Sequence, residues 1–105
     1  MNSKNKGKRG ELEVAHILQD RGFDARRSQQ YCGAAEDAAD VVGLPGYHLE
    51  VKRCENIRLM DWIRQAERDA KDGNVPLVVF RQSHEKWRVV LDFEKFLEII
   101  GGKRR

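Results

Sequence analysis

Leu77-Val78-Val79-Phe80 is apolar at every position. A strand with one wet face alternates apolar and polar side chains, so an unbroken apolar run marks a central strand covered on both faces. Helices provide such cover, and the flanking sequence offers three. From about Gly10 to Arg21, the positions Leu12, Val14, Ile17 and Leu18 fit a 3.6-residue period, and Gly22 is a helix stop. From Leu59 to Asp72, Leu59, Trp62, Ile63, Ala66 and Ala70 share one face with Arg64, Arg68 and Lys71 outside, and Gly73-Asn74 ends the run. Asp92 is placed to cap a closing helix whose stripe is Phe93, Phe96, Leu97 and Ile100, terminated by Gly101-Gly102.

Between these helices lie further strand patterns. Phe23 to Arg27 reads as a first strand with Phe23 and Ala25 inward, and residues 28–38 read as a loop without a clear period. Asp40 to Gly43 begins the next strand, Leu44-Pro45-Gly46 is a turn signal, and Tyr47 to Arg53 returns antiparallel. Gln82 to Glu85 turns the chain after the central strand, and Trp87 to Leu91 makes the last one. The expected order is α-β-β-β-α-β-β-α, an α/β domain with a mixed central sheet flanked by helices. At 105 residues the chain suits a single domain, 1–105, with basic ends at 1–9 and 101–105 that are expected to be flexible.

Charged residues make up 35% of the chain, against about a quarter in ordinary soluble domains. No apolar run is long enough to span a bilayer and the N-terminus lacks the apolar segment of a signal peptide, so a cytoplasmic location without membrane attachment is expected. Cys32 and Cys54 form no ligand spacing and read as reduced thiols. The net charge of +3 is unevenly spread: Lys4, Lys6, Lys8 and Arg9 crowd one end, Lys103 to Arg105 the other, with Arg26-Arg27 and Lys52-Arg53 between. Clusters of this kind favour a polyanion through counterion release. The plainer reading is that charged ends keep a small protein soluble.

The chemistry-bearing stretch is Glu50-Val51-Lys52, ten residues after Asp40. In a strand Glu50 and Lys52 project to one face while Val51 turns to the other. A neighbouring strand that starts at Asp40 brings a second carboxylate to the same edge. Two carboxylates and a lysine suit a divalent cation and a positioned water, the equipment for phosphodiester hydrolysis. Magnesium keeps several waters and needs only one or two carboxylates, so Asp40 and Glu50 are the expected ligands, with the Val51 carbonyl as a third donor. The competing reading is an ordinary Glu–Lys pair on a wet strand. Glu11 lies on the helical line Glu11, Ala15, Leu18, Gly22; an inward acid there would serve a metal or Lys52, while an acid near a helix start also complements the macrodipole. His48 shares the strand face of Glu50 and could touch DNA, a water network, or simply flank.

These residues together resemble the PD-(D/E)xK nuclease superfamily, and in appearance its small archaeal and phage-type Holliday junction resolvases. The likeness rests on the basic Lys-Gly-Lys-Arg-Gly-Glu opening, Gly22-Phe23, Asp40-Val41-Val42, Glu50-Val51-Lys52 and a following helix with Gln65. It implies a restriction-endonuclease-like core and a Mg2+-dependent endodeoxyribonuclease (Mn2+ a possible substitute) that works as a homodimer on branched DNA. It also implies Asp40 and Glu50 as metal ligands, Lys52 as the catalytic lysine, Glu11 as the helical acid assisting the metal, and Gln65 as a helical residue approaching the site. Lys6, Lys8, Arg9, Arg26, Arg27 and Arg53 are candidates for phosphate contact. Ala39 stands where the motif name has proline, and Glu36 and Asp37 offer a rival first acid, although only Asp40 runs directly into an apolar strand. A flap, fork or duplex nickase of the same superfamily and a non-catalytic DNA-binding module are the alternatives.

Overall fold

Along Tyr47–Arg53 the side-chain alternation sorts two cores to opposite faces of one strand. The computed structural model describes residues 3–28 and 39–104. Its elements run α1 (Ser3–Asp20), β1 (Arg26–Arg27), β2 (Val41–Val42), β3 (Tyr47–Arg53), α2 (Leu59–Asp69), β4 (Val75–Arg81), β5 (Arg88–Val90) and α3 (Phe93–Ile99). They form one mixed five-stranded sheet in the order β1-β2-β3-β4-β5. Only β3 and β4 pair in parallel, in the register Leu49 with Leu77 and Val51 with Val79, and α2 is the crossover that a parallel pair requires. The remaining pairs are antiparallel.

Leu49, Val51 and Leu77 face α1 and pack with Val14, Ala15, Ala25 and Val41. On the other face Val78 packs with Trp62 and Ala66 of α2, with Phe80 and Val90 against them. Burial on both sides of β4 is the condition that its apolar run imposes. Trp87 packs against the α1-side core, as its apolar setting suggests, and lies under the Arg81 guanidinium at 5.3 Å. Asp92 caps α3 as expected, its Oδ1 accepting from Lys95 N at 3.0 Å. Among the described residues no helix is long and apolar enough to cross a membrane.

Several expectations shift. α1 begins at Ser3, so the basic segment read as a tail is helical up to Gly10. Lys and Arg are good helix formers once a packed segment has nucleated the helix, and their lack of apolar period conceals this in the sequence. Gly10 is buried where α1 crosses β3; a methyl group there would come within 2.9 Å of Arg53 Cβ. The first strand shrinks to Arg26–Arg27, because Gln19 Nε2 takes the Ala25 carbonyl at 2.7 Å and ties the approach to α1 instead of to the sheet. Phe23 is consequently not inward but 42% exposed. α2 stops at Asp69, where Ala70 turns extended, and β5 loses Trp87 and Leu91. α3 buries none of its residues, leaving Phe93, Phe96, Leu97 and Ile99 exposed. Cys32, Glu36 and Asp37 lie outside the described residues, as does the side chain of Lys6.

Gly43 closes β2 with φ +107, and a Cβ there would collide with the backbone of Asp24 and Ala25. Gly43→Ala combines a left-handed backbone with that collision and is expected to lower stability by roughly 2–4 kcal/mol, read from urea midpoints of the two proteins. An unchanged midpoint would mean that the hairpin does not press on the β1 approach.

Candidate active site

β2 and β3 part company just after they meet. Their ladder holds at Val41 and Leu49, with Asp40 N donating to Leu49 O at 2.9 Å. Beyond that point β3 has no backbone partner on this side among the described residues, and the Asp40 carboxylate takes the Val51 amide instead. Its Oδ2 accepts from Val51 N at 2.8 Å. An extended residue sends its N–H and C=O toward the same neighbour, so the Val51 carbonyl also faces the Asp40 edge.

Glu50 leaves β3 on the α2 face and is the largest fully buried side chain among the described residues, at 1% exposure. Its Oε1 lies 2.8 Å from Nε2 of buried His48, two residues back on the same face. Its Oε2 is buried and accepts no hydrogen bond among the described residues. A carboxylate oxygen in that condition is costly unless a cation or proton joins it.

The charges register one another. The Asp40 carboxyl is pushed up from 3.8 to about 7, mainly by burial and next by the charge of Glu50, with Glu11 adding to the rise. The Val51 amide and Lys52 pull the other way. Lys52 Nζ donates to Oε1 of Gln65 on α2 at 3.0 Å, which fixes the ammonium on the Glu50 face. The structure thus brings Asp40, Glu50, Lys52 and Gln65 to one end of β3, with Glu11 near enough for its charge to be felt. Glu11 itself accepts from Arg27 Nε at 2.6 Å.

The metal donor set is narrower than three acids. Among the described residues no group of three or more His, Cys, Asp and Glu side chains is arranged to hold a metal ion. Asp40 and Glu50 nevertheless fit a hard divalent cation: one is burdened by a neighbouring carboxylate, the other has an unpaired buried oxygen. Magnesium asks for no more than one or two such groups plus waters.

The phosphate candidates divide. Lys8, Arg9 and Arg26 are exposed. Arg27 is engaged by Glu11. Arg53 projects under α1, 17% exposed, and pairs with Glu13, which also binds Arg81. The contact between His48 and Glu50 was not singled out from the sequence. The i, i+2 spacing that places Glu50 beside Lys52 also places it beside His48, and that was the available signal.

The pH dependence of stability follows from Asp40. A carboxyl bound more tightly to its proton in the folded state than in the unfolded one favours folding at low pH. That advantage fades as pH rises from about 4 to about 7. Asp40→Asn keeps an acceptor for Val51 N–H without the charge. In EDTA at pH 8 it is expected to be more stable than the parent by on the order of 2–4 kcal/mol, with the gain vanishing near pH 4. Urea denaturation at the two pH values measures this, and an Asn variant no more stable at pH 8 would show that Asp40 is not electrostatically strained.

A family model described as "Phage putative PDDEXK endonuclease" matches residues 2–104. No curated protein and no solved structure matches the chain.

Proposed function

The chain belongs to the family described as "Phage putative PDDEXK endonuclease", and we propose that it is a Mg2+-dependent endodeoxyribonuclease whose site is Asp40, Glu50 and Lys52. The observation that carries the reading is the unpaired buried Oε2 of Glu50 beside an Asp40 carboxyl pushed up to about 7. A fold that served only to bind DNA would gain nothing from burying two acids where phosphates approach, since they repel the backbone.

Asp40 and Glu50 would hold the cation, with the Val51 carbonyl facing the same edge and Glu11 close by. A divalent cation there lowers the pKa of a bound water and offsets charge that builds on the phosphate. Lys52 carries three N–H donors, and Gln65 occupies one. The remaining two make no hydrogen bond among the described residues and would hold the attacked phosphate oxygen or the attacking water. Gln65 therefore acts on the reaction by aiming the ammonium. Exposed Lys8, Arg9 and Arg26 supply cations that position the DNA backbone without reading sequence.

The sequence resemblance to junction resolvases supports a finer statement: the substrate is a four-way DNA junction, cut on opposing strands by a homodimer. The exposed apolar side chains of α3, among them Phe93 at 70% and Ile99 at 48%, support self-association. Flaps, forks and duplex present the same phosphodiester to the same groups, so they are the comparison substrates.

End-labelled four-way junction, flap and linear duplex are incubated with the protein and Mg2+, beside Glu50→Ala and Lys52→Ala. Paired symmetric cuts on the junction are expected, with each variant slower by about 100-fold or more. Equal cutting of flap and duplex would remove the junction claim and keep the nuclease. Tight DNA binding without cutting in Mg2+ or Mn2+ would leave a binding module.

A further inference from the structure

We propose that His48 is a positioning residue: it holds the Glu50 carboxylate in the orientation that leaves Oε2 for a divalent cation. This rests on the reading of Asp40 and Glu50 as the cation site.

His48 and Glu50 are successive residues on one face of β3, and the sheet fixes both Cα positions. His48 is 4% exposed and Glu50 1%, so neither side chain has water to share with. The contact of 2.8 Å between His48 Nε2 and Glu50 Oε1 consumes one carboxylate oxygen. In the Nε2–H tautomer the imidazole donates, and the carboxylate is left with a single unpaired oxygen, the buried Oε2. Without that donor both oxygens would be unpaired and the glutamate free to rotate about its χ angles. With Nε2 committed to Oε1, His48 is a partner of the ligand and not itself a ligand. Such partners orient metal-binding groups throughout metalloenzymes.

One other role fits less well: burial removes His48 from contact with DNA.

The test uses the full chain and Mn2+ alone, without DNA, titrated by calorimetry and by the Mn2+ electron-spin signal. His48→Leu is expected to weaken Mn2+ binding by about 10–100-fold, with cleavage largely restored at saturating Mn2+. His48→Gln, which keeps an N–H donor, is expected to recover most of the affinity. Circular dichroism in EDTA reports whether each variant folds; should His48→Leu unfold, His48→Phe gives the same comparison, a flat ring without a donor. Unchanged Mn2+ binding in the apolar variant, while Glu50→Ala abolishes it, would overturn the role of His48 alone. A Gln variant as weak as the Leu variant would make His48 a direct ligand and also overturn it. Mn2+ binding that survives Glu50→Ala would overturn the cation site and this proposal together.

Discussion

The hydrogen bond from Val51 N to Asp40 Oδ2 is the point on which the rest of the site turns. A sheet strand that loses its neighbour must satisfy its amide in another way, or bear the cost of a buried unpaired group. β2 is only two residues long, and the Asp40 side chain completes what its backbone cannot. The same bond holds the carboxylate against β3, one residue from Glu50. A backbone requirement and a chemical one are met by one side chain, which is why the acid can remain where burial and like charge both oppose its ionisation.

The two faces of the sheet have different work. The α1 face is a conventional apolar layer, Val14, Ala15, Leu49 and Val51, closed at one end by Glu13 with Arg53 and Arg81. The α2 face has a smaller core of Trp62, Ala66 and Val78, and in the rest of its space it buries His48 and Glu50. Among the described residues, the largest side chain hidden from water is therefore an ionisable one. A chain this size has little apolar surface to spare, and spending one of its best-buried positions on a carboxylate is a departure from folding logic. Such departures mark functional positions more often than structural ones.

Periodicity made the architecture legible. The all-apolar Leu77–Phe80 run required helices on both faces, the alternation in Tyr47–Arg53 put Glu50 and Lys52 together, and Asp92 marked the start of α3. What escaped were terms that no period encodes. α1 reaches back to Ser3 because lysine and arginine tolerate a helix without signalling one. Phe23 is exposed because a side-chain bond from Gln19 captured the backbone that would have made it a strand residue. Arg27 and Arg53 looked like equals of Arg26 in a list of cations, yet tertiary pairing with Glu11 and Glu13 separates them. Pairings across 16 to 40 positions of sequence are set by the fold, so only coordinates reveal them.

The distribution of paired and unpaired groups gives the site its direction. Among the described residues, the polar groups next to Glu50 have partners of their own: His48 meets Oε1, Lys52 donates to Gln65, and the Val51 amide donates to Asp40. The network therefore converges on one oxygen and stops there. If the arrangement existed for stability, exchanging Glu50 for an apolar residue would be the simpler solution, since buried charges seldom improve on packed hydrocarbon. A cation held as proposed would relieve the imbalance for Asp40 and Glu50 at once, lifting the like-charge cost that Glu50 imposes on Asp40. In the proposed site, the like-charge strain on Asp40 and an affinity for a divalent ion would be two expressions of the same electrostatic interaction.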